Sequence, residues 1–111
     1  MAAIFYADFE KVEIRTGTII KAEDFPEATK PAYKLTIDFG EFGIKKTSAQ
    51  ITVLYKKEEL VGKQVVAVVN FPPKQIAGFM SECLILGAGE EGKGTILLAP
   101  ERNAKNGLRI L

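Results

Sequence analysis

Histidine is absent from this 111-residue chain, and cysteine occurs once, as Cys83. Without histidine there can be no Ser-His or Cys-His dyad, no histidine-ligated zinc and no general base of the usual kind at neutral pH. A single cysteine also excludes an internal disulfide and a CxxC metal knuckle. We therefore expect a protein that is not an enzyme and that uses neither a metal nor another cofactor.

A strong net charge and a long apolar run are also missing. The chain has 15 Lys and Arg residues against 14 Asp and Glu residues, which excludes a cationic field over the whole protein. The longest apolar run, Val65 to Val69, is far shorter than the ~20 residues that span a bilayer. Residues Met1 to Tyr6 lack the basic start and apolar centre of a signal peptide. We therefore expect no membrane insertion and a cytoplasmic location.

Alternating apolar residues dominate the sequence, and this period is typical of strands. The length predicts one domain over residues 1–111. The predicted strands cover residues 12–21, 33–39, 44–49, 64–71, 84–86 and 95–99. The period changes between Ile51 and Val61, where the spacing predicts a helix that begins near Thr52 and ends at Gly62. Prolines predict loops at residues 24–31 and 71–80.

This order of elements predicts an all-β fold, namely a five-stranded OB-fold barrel with one helix between strands 3 and 4. An SH3-like barrel is the alternative, although that fold usually lacks such a helix. Gly17, inside the first strand, indicates a bulge or a tight bend.

Positive charge is concentrated in the middle of the chain. Residues 45–81 contain six lysines against two glutamates, whereas residues 1–44 have an excess of acidic groups. In an OB-fold these central segments lie near the usual ligand face and its rim loop.

The segment from Asn70 to Glu82 combines polar groups with four apolar side chains. The apolar residues are Phe71, Ile76, Phe79 and Met80. A loop cannot bury all four in a small barrel, so we expect some to face a ligand or a second subunit. The alternative is that they cover the end of the barrel.

Several stretches of sequence form a more specific pattern, of which residues 68–74 (VVNFPPK) are the strongest. The others are residues 8–12, 14–19, 48–52, 62–65, 76–79 and 81–82. With these stretches, the chain from Phe9 to Leu111 resembles the stand-alone tRNA-binding-domain proteins, and among them the CsaA group. The resemblance implies an OB-fold, a symmetric homodimer and two roles. These are structure-specific tRNA binding and chaperone-like binding of peptide segments in preproteins destined for export.

The family pattern also implies a ligand site. It falls on Asn70, Pro73, Lys74, Gly78 and Ser81, and nearby side chains complete the predicted site for peptide or tRNA. These are Lys46, Ser48, Gln50, Phe71, Ile76 and Phe79. A less basic loop than in many relatives, with Gln75 and Ala77, favours an extended apolar peptide. A tRNA bound on the same face is the alternative.

Apolar residues at both ends of the chain lie outside the predicted barrel. Those that we expect to form dimerisation extensions are Ile4, Phe5, Phe9, Leu108 and Ile110. Packing them across a twofold axis would bury them and protect strand edges. The alternative is that both ends fold over their own barrel.

Overall fold

An antiparallel five-stranded sheet is the centre of the computed structural model, which describes residues 1–111. Its strands, in the spatial order β3-β2-β1-β4-β7, are β1 (Ile14–Asp24), β2 (Tyr33–Asp38), β3 (Ile44–Ala49), β4 (Gln64–Val68) and β7 (Leu84–Ile85). Two hairpins accompany the sheet: β5 (Lys74–Ile76) with β6 (Phe79–Ser81), and β8 (Gly87–Glu90) with β9 (Gly94–Leu97). The helices are α1 (Tyr6–Glu10), α2 (Lys57–Leu60) and a 3₁₀ turn at Gly40–Phe42. No helix is both long and apolar enough to cross a membrane.

The sheet curls into the OB-fold barrel that the alternating pattern predicts. β1 pairs with β4 along its first half and with β2 along its second half, and the register shifts between Ile19 and Lys21. Such a bulge bends a strand and increases its twist. The bend therefore lies at Ile20 and not at Gly17. Gly17 instead allows close packing, because a Cβ there would lie 2.7 Å from Ile37 Cγ2.

Side chains help to close the barrel between its two edges. The Glu82 backbone N–H donates to the Lys46 carbonyl at 2.7 Å, and the Lys46 N–H donates to Glu82 Oε1 at 2.9 Å. Thr47 Oγ1 lies 2.8 Å from the Cys83 carbonyl and donates to it. Hence β3 is joined to the residues before β7 by a mixture of backbone and side-chain bonds.

The barrel interior holds the inward-facing residues of these strands. The core consists of Ile19, Leu35, Ile37, Phe39, Ile51, Leu60, Val65, Ala67 and Cys83. Burial raises the pKa of the Cys83 thiol to about 12. This side chain is therefore a neutral core residue.

The helix predicted over Ile51 to Val61 is much shorter in the structure. Residues 52–54 form a turn, and only Lys57–Leu60 are helical. The residue that caps the helix is Lys56, whose N–H donates to Glu59 Oε1 at 2.9 Å, and not Thr52. The β-branched Thr52 and Val53 favour extended backbone, and Ile51 is drawn into the core.

The segment predicted as a loop at 71–80 contains the β5–β6 hairpin instead. Its two turn residues, Ala77 and Gly78, have φ angles of 48° and 80°. Positive φ at both central residues is the geometry of the tightest hairpin turns. Alanine is uncommon in that conformation, which is why the sequence does not signal this hairpin.

The two ends of the chain behave differently. The C-terminal residues run along the first half of β1, where the Gly107 N–H donates to the Thr16 carbonyl and the Ile110 N–H to the Ile14 carbonyl, both at 2.8 Å. The N-terminal residues carry exposed apolar side chains, with Ile4 70% and Phe5 82% exposed. The C-terminal backbone thus runs along its own barrel while the Leu108 side chain stays 48% exposed, and the dimer contacts expected of the residues at both ends stay predictions.

Candidate functional site

The largest cavity is a groove of about 690 Å³ beside the free edge of β3. One wall is the end of β3, the second is the β5–β6 hairpin with the prolines before it, and the third comes from β7, β8 and β9. Apolar lining residues are Ile51, Phe71, Pro72, Ile76, Leu84, Ile85 and Leu97. The groove is therefore an apolar channel whose floor is the edge of a sheet.

Six of the eleven predicted site residues line this groove. They are Ser48, Gln50, Phe71, Lys74, Ile76 and Ser81. The other five, which lie outside its walls, are Lys46, Asn70, Pro73, Gly78 and Phe79. The ligand contacts of all eleven stay predictions.

Ser81 is positioned by β3. Its Oγ accepts the Ser48 backbone N–H at 3.3 Å and lies 3.0 Å from Thr47 Oγ1. Since Thr47 donates to Cys83, the Ser81 hydroxyl donates to Thr47. These bonds fasten the hairpin to β3 and set the width of the groove.

The Asn70 side chain bonds to the segment that precedes β1. Its Nδ2 donates to the Lys11 carbonyl at 2.8 Å, and its Oδ1 accepts the Glu13 N–H at 3.0 Å. Both polar atoms of the amide are thus engaged within the chain, and they hold the segment between α1 and β1 against the barrel.

Phe79 belongs to an aromatic cluster beside the groove. Its ring packs edge to face on Phe25 with centroids 5.4 Å apart, and the Lys34 ammonium lies 5.4 Å and 5.8 Å from the two ring centroids. The sequence analysis missed Lys34. The alternation in β2 could have indicated this residue, because Lys34 precedes the buried Leu35 and therefore lies on the outer face of the strand. In the structure Lys34 pairs in register with Ser48 of β3.

Most of the lysines in the basic middle segment are free of acidic partners. Lys57 pairs with Asp24 at 2.7 Å, and the hydrogen bond and charge of this carboxylate raise the lysine pKa. No carboxylate lies within 4.0 Å of the other five, Lys45, Lys46, Lys56, Lys63 and Lys74. Their charge therefore remains available to an anionic ligand.

These groups are suited to binding a ligand through apolar contacts and hydrogen bonds. The groove has apolar walls, hydroxyl and amide groups at one side, one lysine and one glutamate. The Cys83 thiol also lines the groove, but with a pKa of about 12 it is protonated at neutral pH and is a poor nucleophile.

Comparison with known proteins gives consistent matches. The family model described as a putative tRNA-binding domain matches residues 14–109. The chaperone CsaA of Bacillus anthracis superposes with a TM-score of 0.94 at 50% identity, covering 99% of this chain and 100% of that one. The CsaA chaperone of Picrophilus torridus has a TM-score of 0.92 at 55% identity, covering 98% and 100%.

Enzymes contain a similar domain as a small part of their length. The methionine–tRNA ligase of Bdellovibrio bacteriovorus is 39% identical over 109 residues, which make up 98% of this chain and 16% of the ligase. The chain thus spans 13–16% of the length of the methionine–tRNA ligases it matches. From the family match, the full-length structural likeness and the barrel geometry, we conclude that the chain belongs to the tRNA-binding-domain family and is of the CsaA type.

Proposed function

We propose that this chain is a non-catalytic, chaperone-like protein that binds exposed peptide segments of preproteins destined for export. The observation that carries the proposal is the open apolar groove, in which Phe71 and Leu84 are 53% and 49% exposed. Apolar surface that is held open to solvent suits the apolar side chains of an unfolded segment. The likeness to CsaA chaperones supports the same function.

The proposal includes a cytoplasmic location, a homodimer and no cofactor. The exposed Ile4 and Phe5 at the N-terminus supply apolar surface for a second copy of the chain. Two grooves on one particle can bind two segments of a long preprotein, and such linkage raises the overall affinity by roughly 10²–10⁴.

Binding of tRNA on the same face is the second candidate. The unpaired lysines favour it, above all Lys74 in the groove and Lys46 on β3, because each can neutralise a phosphate. The family to which the chain belongs also favours this function.

Fluorescence anisotropy distinguishes the two functions. A labelled, urea-unfolded preprotein and labelled bulk tRNA are each titrated with the chain at low and high salt. Apolar peptide binding is expected to change little with salt, whereas log K for RNA falls with a slope of about −0.7 to −0.9 per phosphate contact. If the chain binds tRNA but does not bind the unfolded preprotein, the chaperone function is rejected in favour of the second candidate.

Two variants with matched controls assign the contacts. Phe71→Ser is expected to weaken preprotein binding, whereas Val61→Ser, at an exposed apolar residue outside the groove, leaves it unchanged. Lys74→Ala is expected to reduce the salt slope for tRNA by about one, whereas Lys93→Ala, on the β8–β9 turn and outside the lining of the groove, does not.

A further inference from the structure

We propose that the groove binds its peptide as an added strand on the free edge of β3, at Ser48 to Gln50. This inference rests on the proposed function and specifies how the ligand is held. Strand addition gives affinity through backbone hydrogen bonds and specificity through pockets for alternate side chains.

The hydrogen bonding of β3 identifies which groups face the groove. Both backbone groups of Lys46 bond to Glu82, so they point to the edge of β3 that faces away from β2. Backbone groups alternate between the two edges of a strand. The groups of residues 48 and 50 therefore face the same open edge as those of Lys46.

This edge is closed at one end and open at the other. Glu82 occupies both backbone groups of Lys46, and the Ser48 N–H has only the long 3.3 Å bond to Ser81 Oγ. The Gln50 N–H and carbonyl make no hydrogen bond within the chain, and Gln50 is exposed. Unpaired groups on a strand edge are a template for another extended chain, and proteins normally cover them. Here the Ser81 hydroxyl accepts the Ser48 N–H, and Thr47 Oγ1 lies 3.1 Å from the Ser48 carbonyl, so the backbone groups that remain fully available on this edge are those of Gln50.

The walls and charges of the groove define the chemistry of the occupant. Phe71, Ile76 and Leu84 offer apolar contacts beside the strand edge. Lys74 has no carboxylate partner, and the only acidic lining residue, Glu82, already accepts the Lys46 N–H. The occupant is therefore an extended peptide with apolar side chains at alternate positions and a carboxylate opposite Lys74.

Backbone methylation of a probe peptide tests the mode of binding. The probe is a fluorescein-labelled hexapeptide that alternates leucine with threonine and contains one glutamate, compared with two forms N-methylated on alternate residues. Because one edge of a strand uses alternate N–H groups, one form is expected to lose affinity at least about tenfold and the other to change less than about twofold. Equal effects of the two forms would overturn the added-strand mode.

The same probe separates this inference from the function on which it rests. If the unmethylated hexapeptide fails to bind, the mode and the ligand chemistry stated here are wrong. The proposed function fails only if the unfolded preprotein itself does not bind. Binding of the preprotein together with equal effects of the two methylated forms therefore overturns the inference alone.

A pair of variants tests the same edge from the side of the protein. Gln50→Pro removes the backbone N–H and Gln50→Ala keeps it. We expect Gln50→Pro to bind the hexapeptide about tenfold more weakly than Gln50→Ala does, because both variants lack the Gln50 side chain and only the first also lacks the backbone N–H. If Gln50→Pro does not fold, as judged by circular dichroism, the methylated peptides decide the question.

Labelled oligouridylate serves as the comparison ligand. RNA has no backbone amides, so its affinity is expected to be the same for Gln50→Pro and Gln50→Ala. Equal losses of RNA and peptide affinity in Gln50→Pro would overturn the added-strand mode and make the groove a nucleic-acid site.

Discussion

Asn70 illustrates at the scale of one residue how a side chain with ligand-binding chemistry can be used inside the chain. Asn70 comes two residues after the end of β4. Its side-chain amide bonds to the backbone of Glu13 and Lys11, which lie 57 and 59 positions earlier in the sequence. The two bonds fix the path of the chain into β1. An amide can do this because it donates and accepts at once.

Replacing Asn70 by alanine is expected to lower the free energy of unfolding by about 1–2 kcal/mol, because two hydrogen bonds are lost at a solvent-accessible position. Urea denaturation followed by circular dichroism measures the change. Gln50→Ala is the control, since the side chain of Gln50 is exposed and makes no hydrogen bond. Equal stability of Asn70→Ala and the wild type would show that these two hydrogen bonds contribute nothing to the free energy of unfolding.

Cys83 gives a prediction about alkaline pH. Burial raises its pKa from 9.0 to about 12, so above pH 9 the unfolded chain loses the thiol proton while the folded chain keeps it. Stability from this group is therefore complete below pH 9 and decreases as the pH rises toward 12. We expect the unfolding free energy of the wild type, minus that of Cys83→Ala, to fall by about 1.4 kcal/mol per pH unit near pH 10.5.

The Cys83→Ala variant is needed because lysines and tyrosines also titrate in this range, and the difference between the two proteins removes their contribution. Urea denaturation at several alkaline pH values gives both free energies. A difference that does not vary with pH would mean that the thiol is not buried in solution.

The β5–β6 hairpin is the element that shapes the groove. It carries Lys74, Ile76 and Ser81, and its turn holds Ala77 at a φ of 48°. A non-glycine residue in this left-handed region costs roughly 1–2 kcal/mol, and asparagine tolerates it best. The hairpin is thus formed against a local preference of its own sequence, supported by the bonds of Ser81 to β3.

Ala77→Asn is accordingly expected to raise the free energy of unfolding by about 0.5–1 kcal/mol. Gly78→Ala, at the neighbouring turn position, is the comparison variant, and we expect it to change stability in the opposite direction. A Cβ at Gly78 has open space around it, but the φ of 80° disfavours it, so stability is expected to fall. Urea denaturation measures both variants. A stabilising Gly78→Ala would show that this turn has another geometry in solution.

The elements that could be predicted from the sequence are those whose pattern of buried residues is visible in the sequence itself. Strands with one buried face, such as β2 with Leu35 and Ile37, follow from alternation alone, and the order of the elements predicts the barrel that the resemblance also implies. The start of the helix lies at Lys57 rather than near Thr52 because Ile51 is drawn into the core, and the β5–β6 hairpin forms against the local preference of Ala77. Within the site, the apolar residues of the segment 70–82 pointed to Phe71 and the family pattern pointed to Lys74, and both side chains line the groove. The unpaired backbone of Gln50 could not be predicted, because it depends on where the neighbouring strand ends.

At the scale of the whole molecule, the two ends of the chain lie on the barrel in unequal ways. The C-terminal tail is held to β1 by backbone bonds and by Arg15 Nη1, which donates to the Gly107 carbonyl at 2.7 Å. The N-terminal turn, which consists of Ile4, Phe5 and helix α1, has a local hydrogen bond from the Phe5 N–H to Asp8 Oδ2 at 3.0 Å. The side chains of Ile4 and Phe5 face solvent. Exposed apolar groups on an ordered turn are suited to contact with another protein surface.

We therefore expect the proposed homodimer to depend on the N-terminal turn. Ile4→Ser combined with Phe5→Ser, or deletion of residues 1–9, is expected to shift the protein from dimer to monomer at low micromolar concentration, because the apolar contact is lost. Sedimentation velocity measures the shift. Val53→Ser combined with Ile96→Ser is the control, since both residues are exposed and apolar but lie beside the β8–β9 hairpin. A dimer that survives the N-terminal changes would exclude this contact, and a wild-type monomer at all concentrations would exclude the homodimer itself.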